Sequence, residues 1–313
     1  KRFCHKYDEI ISVNNLLIAW QEFLRDKRKR KDVIDFSRHL MDNVLLLHHE
    51  LAEKTYQHGP YQAFKINDPK PRDIHKASVR DRLLHHAICR ILYPYFDRQF
   101  IYDSYSCRDD KGTHRAVRRL RNIANRVSHN YTTTVWILKC DIRKFFANID
   151  HIVLKTIIGR YIQDSDILHL LDNIIESFNT MNKPGVGLPL GNLTSQLFVN
   201  IYMNMFDQFV KRKLKVKYYI RYADDFVFIN ESRTYLESLI PKIAEFLEKE
   251  LCLSLHPNKV FIKTFASGID FLGWVNFPHH RVPRTTTKRR MFKKIRQNKS
   301  NQTVASYFGL LSH

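Results

Sequence analysis

The chain is short of acid and of cysteine and lacks a long apolar run, and each shortage narrows what it can be. Its 313 residues hold 31 Asp plus Glu against 52 Lys plus Arg, a formal net charge of +21. A surplus of this size favours a polyanionic partner, and nucleic acid fits it best. The five cysteines, Cys4, Cys89, Cys107, Cys140 and Cys252, lie far apart with no CxxC pair. That spacing argues against a disulfide framework and a zinc site, and it reads as free thiols in a reducing cytoplasm. No stretch approaches the ~20 apolar residues of a bilayer span, and the start has no signal-peptide core, so a soluble, intracellular chain without a membrane partner is expected. Lys1 is not an initiator, and a few residues are expected to precede it. No internal repeat is visible, and the length suffices for two or three compact units with a sizeable core.

Against this background two acidic segments stand out. The first is Arg221-Tyr222-Ala223-Asp224-Asp225-Phe226-Val227-Phe228. β-Branched and aromatic residues flank it, Val216 to Tyr222 before and Phe226 to Ile229 after, so it reads as a hairpin with adjacent carboxylates at its tip. A solvated turn would also use Asp. Two like charges this close raise each other's pKa unless a cation neutralises them, and oxygen-only ligands suit a hard ion such as Mg²⁺. The second segment is Val135-Trp136-Ile137-Leu138-Lys139-Cys140-Asp141-Ile142-Arg143-Lys144-Phe145-Phe146, an apolar strand that ends in a carboxylate. If it lies beside the hairpin in one antiparallel sheet, Asp141 meets Asp224 and Asp225 at a single edge. Three carboxylates and the Ile142 carbonyl can then hold two divalent ions, which activate a 3′-hydroxyl and stabilise a leaving pyrophosphate. This is nucleotidyl-transfer chemistry.

The rest of the chain supplies a basic frame. Residues 1–58 read as helices, with clusters at Ile10, Ile11, Leu16, Leu17, Ala19 and Trp20 and at Val33, Phe36, Leu40, Val44 and Leu47, separated by the cationic run Lys27 to Lys31. That run is either a solvated loop or a phosphate contact. His48, His49 and Glu50 do not read as a metal site, because adjacent histidines face different sides of a helix. From Tyr61, prolines and short extended pieces predict a β-ribbon carrying Lys65, Lys70, Arg72, Lys76 and Arg80, suited to a triphosphate or simply solvated. Asp81 suits the first turn of the next helix, and Arg115 to Arg126 places five arginines on a helical pattern. A helical stretch over 152–178 is broken by the loop from Pro184 to Gly191, whose glycines let backbone approach a ligand. Asn192 then caps a helix running to about Leu214. An amphipathic helix carries Leu236 to Leu251, and Lys259 lies in the stretch beyond it. The tail from Arg281 to Lys299 has nine cations and no acid, with Met291, Phe292 and Ile295 as one apolar stripe to dock it.

Asp141, the Asp224-Asp225 pair, the Gly191 loop and Lys259, in this order, resemble a reverse transcriptase from roughly residue 60 to the end. Arg72, Asp81-Arg82 and Ser104-Tyr105-Ser106-Cys107-Arg108 resemble its fingers motifs, and Phe271-Leu272-Gly273-Trp274 its primer grip. The resemblance implies an α+β right-hand polymerase: a helical N-terminal extension over 1–60, fingers over 61–135, palm over 136–277 with fingers elements around 152–185, and a short helical thumb beginning at 278–313. It implies catalysis by Asp141, Asp224, Asp225 and Lys259, the lysine protonating pyrophosphate. Metal binding falls to Asp141, Ile142, Asp224 and Asp225, for two Mg²⁺ with Mn²⁺ as a substitute. Substrate contacts are implied at Lys70, Arg72, Arg80, Ile142, Phe146, Leu190, Gly191 and Gln196, with Phe146 as the gate against a ribose 2′-hydroxyl.

The loop Leu190-Gly191-Asn192-Leu193-Thr194-Ser195-Gln196 narrows the resemblance, because Gln196 stands where most bacterial members carry proline. This form is similar to the reverse transcriptases of diversity-generating retroelements. Lys111-Gly112-Thr113-His114, Asn200-Ile201-Tyr202-Met203-Asn204 and Ser306-Tyr307-Phe308-Gly309 agree with it. The implied activity is RNA-directed, error-prone DNA synthesis mutagenised at adenines. The implied partners are template RNA, the cDNA primer-template, dNTPs and a small basic accessory protein, in a prokaryotic or phage-encoded setting. Two other readings stay open: a retron or phage-defence reverse transcriptase, and a catalytically inactive RNA-binding scaffold.

Overall fold

The structure, a computed structural model, describes residues 3–67, 71–181, 183–297, 304, 305, 307 and 309. In chain order it has α1 (Tyr7–Ile11), α2 (Val13–Phe23), α3 (Lys31–Arg38), α4 (Leu40–Ala52), β1 (Gln62–Ile66), β2 (Arg72–Lys76), α5 (Val79–Asp97) and α6 (Thr113–Val127). Then come β3 (Trp136–Asp141), α7 (His151–Gly159), α8 (Ser165–Glu176), α9 (Leu193–Gln208), β4 (Tyr219–Tyr222), β5 (Asp225–Asn230) and α10 (Arg233–Leu251). The chain closes with β6 (Phe261–Thr264), β7 (Ile269–Phe271), β8 (Trp274–Asn276), β9 (Arg281–Pro283) and α11 (Thr285–Gln297). Short polar side chains start many of these helices by accepting a hydrogen bond from an otherwise orphaned backbone N–H: Ser12 on α2, Ser78 on α5, Asp150 on α7 and Asp164 on α8.

The chain folds as two compact units that interleave along the sequence. One comprises Lys1–Ile101, Lys144–Phe209 and Phe246–Leu253. Its core is helical: α2 and α9 both pack on α5, and Leu16, Trp20, Phe23, Leu84, Ile88, Phe198 and Phe206 are buried there. β1 and β2 form the expected ribbon, antiparallel from Gln62↔Lys76 to Ile66↔Arg72, with β1 exposed along its length. Asp81 is fully buried at the start of α5, where it accepts hydrogen bonds from the Tyr56 hydroxyl at 2.9 Å and the Ser78 hydroxyl at 2.7 Å.

The second unit comprises Tyr102–Arg143, Val210–Glu245 and Ser254–His313. Its centre is an antiparallel sheet in the order β4-β5-β3-β6. Strand alternation sends Ile137, Val227 and Ile229 to one face. There they join Leu120, Ile123, Ala124 and Val127 of α6, with Phe271 and Trp274, in one core. Leu138, Cys140, Phe226 and Phe228 take the opposite parity and are also buried, which is why β3 and β5 read as nearly continuous apolar runs. A smaller sheet, β7-β8-β9, precedes α11.

Three local expectations are corrected. Asn192 occupies the backbone cap position of α9 without capping it, because its side-chain amide donates to the His75 carbonyl at 2.9 Å instead. α9 passes directly into a π-helical turn over Phe209–Lys213, close to the expected end at about Leu214, but the next strand begins at Tyr219 and not at Val216. On α11 Met291 is buried and Ile295 half-buried, but Phe292 is 56% exposed, so Phe292 falls outside the apolar stripe. Lys299, Ser306 and Phe308 lie outside the described residues.

Candidate active site

The hairpin expected at the acidic pair is β4-β5, closed by a turn of only two residues. Tyr222 pairs with Asp225, which leaves Ala223 and Asp224 at the tip. Ala223 holds a left-handed φ of +54°, an uncommon setting for a residue with a Cβ. Arg221 stabilises it. Its guanidinium is fully buried, donates to the Ala223 carbonyl at 3.2 Å and also donates to the Ser104 hydroxyl at 3.0 Å. The backbone of the Asp103–Tyr105 segment grips the same residue, with Arg221 N donating to Asp103 O and Tyr105 N to Arg221 O, each at 2.9 Å. Asp103 in turn receives the Arg119 guanidinium in a two-pronged fork at 2.8 and 3.1 Å.

β3 lies beside this hairpin, and its last residue, Asp141, stands directly opposite Asp225. Past the strand end the Ile142 N–H donates to the Asp224 carbonyl at 3.1 Å, while His256 N donates to the Asp141 carbonyl at 2.8 Å. Asp141, Ile142, Asp224 and Asp225 are thereby brought to one end of the sheet. The turn over His256 to Lys259 adds a cation: Lys259 Nζ lies 2.8 Å from Asp141 Oδ1. A second cation comes from Lys139, which shares a strand face with Asp141, is buried, and reaches Asp225 Oδ2 at 3.1 Å. Burial pushes the Asp225 carboxyl up to about 7; Lys139 opposes the rise, and Asp224 and Asp141 add to it.

Among the described residues no three His, Cys, Asp or Glu side chains close around a single metal position. The donor set nevertheless fits a hard divalent cation, being made of oxygen throughout. Asp225 Oδ1 is buried with no hydrogen-bond partner, an acceptor left open beside two further carboxylates.

The other expected site residues belong to the helical unit. The loop before α9 is stitched to its surroundings by backbone: Leu188 N donates to Phe146 O at 2.8 Å, Gly187 N to Ile149 O at 2.8 Å, and His75 N on β2 to Leu190 O at 3.0 Å. Gly191 has a φ of +107°, and a Cβ there would sit 2.9 Å from Ile74 Cγ2, so glycine is what lets the loop lie against the ribbon. Leu190, Gly191 and β2 are thus brought together, with Phe146 tied to the same loop. Gln196 lies half-buried on the first turn of α9, and Arg72 is exposed on β2. Lys70 lies outside the described residues. Arg80, at the start of α5, is held internally: its guanidinium pairs with Glu50 and Asp81, donates to the Gln57 carbonyl and lies over the Tyr56 ring at 4.6 Å.

Sequence reasoning missed Lys139 and Arg221. Each is a long cation in an otherwise apolar strand, and such a residue stays there only if a buried acceptor meets it.

The fold is that of a right-hand polymerase. The chain superposes on apo telomerase from Candida tropicalis, truncated from its C-terminal domain, with a TM-score of 0.53 at 14% identity, over 79% of this chain and 60% of that one. It superposes on telomerase from Candida albicans, solved with a fragment of telomeric RNA, with a TM-score of 0.55 at 11% identity, over 74% and 46%. These likenesses show the fold, and within it the carboxylates are gathered at the end of an antiparallel sheet. Residues 65–275 match the family described as reverse transcriptase (RNA-dependent DNA polymerase), and the chain belongs to that family. It is an enzyme of the RNA-directed DNA polymerase class. Protein YkfC of Escherichia coli is 26% identical over 309 residues, covering 85% of this chain and 78% of YkfC. The group II intron-encoded protein LtrA of Lactococcus lactis is 24% identical over 69% of this chain, which spans only 36% of LtrA. Among the described residues no helix is long and apolar enough to cross a membrane.

Proposed function

We propose that this chain copies an RNA template repeat into error-prone, adenine-mutagenised cDNA for diversity-generating retrohoming. The observation that carries the catalytic part is the meeting of Asp141 with Asp225, and of Ile142 with Asp224, at one end of the β4-β5-β3 sheet. Asp141, Asp224, Asp225 and the Ile142 carbonyl would hold two divalent cations, Mg²⁺ or Mn²⁺ in its place. Bound there, such ions would lower the pKa of the primer 3′-hydroxyl and offset charge on the departing pyrophosphate. The protein's own groups do the rest. Lys259 hands a proton to the pyrophosphate. Lys139 and Arg221 hold Asp225 and the Ala223 turn in place, so that the carboxylates keep their geometry between turnovers.

In this reading Lys70 and Arg72 bind the triphosphate, Phe146 excludes a 2′-hydroxyl, and Leu190, Gly191 and Gln196 contact the incoming nucleotide. Residues 61–135 act as fingers, 136–277 as palm and 278–313 as the start of a thumb, behind a helical extension over 1–60. The narrower assignment to retrohoming rests on the loop from Leu190 to Gln196, and it brings with it a small basic accessory protein.

Primer extension on a defined RNA, followed by sequencing of the cDNA, tests both parts. Asp224→Asn, which removes a charge and keeps the shape, is expected to lower extension by orders of magnitude while RNA binding persists. Full activity in that variant would sink the catalytic assignment. Errors spread evenly over template bases, instead of concentrating opposite adenine, would remove the retrohoming reading and leave the polymerase.

A further inference from the structure

α6 carries five arginines, and the structure sorts four of them. Arg119 is committed to Asp103, and Arg115 lies 3.6 Å from Asp110. Arg118 and Arg121, one turn apart on the same face, have no carboxylate partner among the described residues. α6 packs against β8, whose Trp274 joins the core beside Leu120. β9 runs antiparallel to β8, and its Arg281 guanidinium lies over the Trp274 ring, 4.5 Å from the centroid. Arg281 likewise has no carboxylate partner among the described residues. Burial, and then the nearness of Arg121 and Arg118, holds the Arg281 guanidinium below its ordinary proton affinity.

Like charges are ordinarily kept apart or interleaved with acids, and a desolvated donor is ordinarily paired. Neither holds here. Arg121 Nε is buried without a hydrogen-bond partner, and its two cationic neighbours offer no acceptor. Stacking on indole fixes the plane of the Arg281 fork and leaves its edge N–H groups available. We infer that Arg118, Arg121 and Arg281 form a binding site for consecutive phosphates of a nucleic-acid backbone. An anion with several oxygens satisfies the open donor and relieves the repulsion, and a phosphodiester chain presents such oxygens at a regular spacing that forked guanidiniums match. The site shares no residue with the carboxylate cluster, and its proposed part is affinity and register, not chemistry. It rests on the polymerase reading only for the identity of the polymer.

The test is equilibrium binding of the full chain to labelled nucleic acid across a salt series, by fluorescence anisotropy, with the slope of log K against log salt as the readout. Each phosphate contact contributes about 0.7 to that slope on a single strand and about 0.9 on a duplex. Arg118→Gln is expected to shallow the slope by about one contact, and the triple variant Arg118→Gln, Arg121→Gln, Arg281→Gln by two to three. A loss seen with an RNA–DNA primer-template and absent with single-stranded RNA places the product duplex on the site, and the reverse places the template strand there. Unchanged slopes with both would overturn the inference. Arg118 is exposed, so Arg118→Gln decides the matter if the triple variant does not fold. Wild-type primer extension is measured in parallel: a chain that binds but does not extend contradicts the polymerase reading, and the slopes still judge the site.

Discussion

Asp225 is the residue at which folding and the proposed catalysis pull in opposite directions. Its carboxyl is pushed up to about 7, chiefly by burial and further by Asp224 and Asp141, with Lys139 working against both. A raised acid pKa means that the folded chain keeps a proton that the unfolded chain gives up. Stability from this group is therefore fully present at about pH 4, falls as pH rises, and levels off above about 7. At roughly 1.4 kcal/mol per unit, the loss is at most about 4 kcal/mol across that window. Asp225→Asn, which stays neutral, is expected to melt near the wild type at pH 4 and clearly above it at pH 8, in chelator. A melting difference that does not change with pH would contradict the burial argument. The three carboxylates were legible from sequence because acids at the ends of apolar strands have few bland explanations. Lys139 and Arg221 were not, because parity along a strand gives the face of a side chain but not the partner across the sheet.

Among the elements, the loop before α9 shows how backbone positions sequence. Its carbonyl at Leu190 is fixed by β2, and the collision a Cβ would make at Gly191 sets how closely ribbon and loop approach. The caps Ser78, Asp150 and Asp164 do what such residues do at helix starts, and Asp164 opens a second helix inside the stretch 152–178 that periodicity alone read as one. Asn192 was misread because its amide is turned to donate to the His75 carbonyl, which leaves its Oδ1, the atom a cap would use, without a partner. The side chain of Leu190 is half-exposed on this fixed loop and carries no hydrogen-bonding group. If it faces the incoming nucleotide, the enzyme lacks one contact that could favour a correct pair, and a contact of about 1.4 kcal/mol corresponds to a tenfold change in selectivity. Leu190→Gln is expected to lower misincorporation opposite adenine several-fold more than opposite other bases, read by sequencing cDNA from a defined RNA. An active variant with an unchanged error spectrum would show that Leu190 only packs.

For the whole molecule, charge is the property that no single element explains. The net +21 is carried by both units: the turn over Lys27 to Lys31 and the ribbon in one, α6, β9 and α11 in the other. Some of that charge is neutralised internally, Arg80 by Glu50 and Asp81, and Arg82 and Lys76 by Asp32, so composition overstated the cations free to meet a ligand. What remains, including Arg118, Arg121 and Arg281, is suited to phosphates, and phosphate contacts fix register without reading sequence. A surface of this kind binds many RNAs and chooses poorly among them. The isolated chain is therefore expected to bind unrelated RNAs about as well as its own template, with affinity falling steeply between low and about 0.15 M salt. Choice of template then has to come from a partner, which the proposed basic accessory protein would supply by adding contacts that depend on RNA shape. Competition between a template repeat and an unrelated RNA of equal length, with cDNA yield as the readout, measures this. Strong preference for the template repeat by the isolated chain would place template choice within these residues and remove the need for the partner.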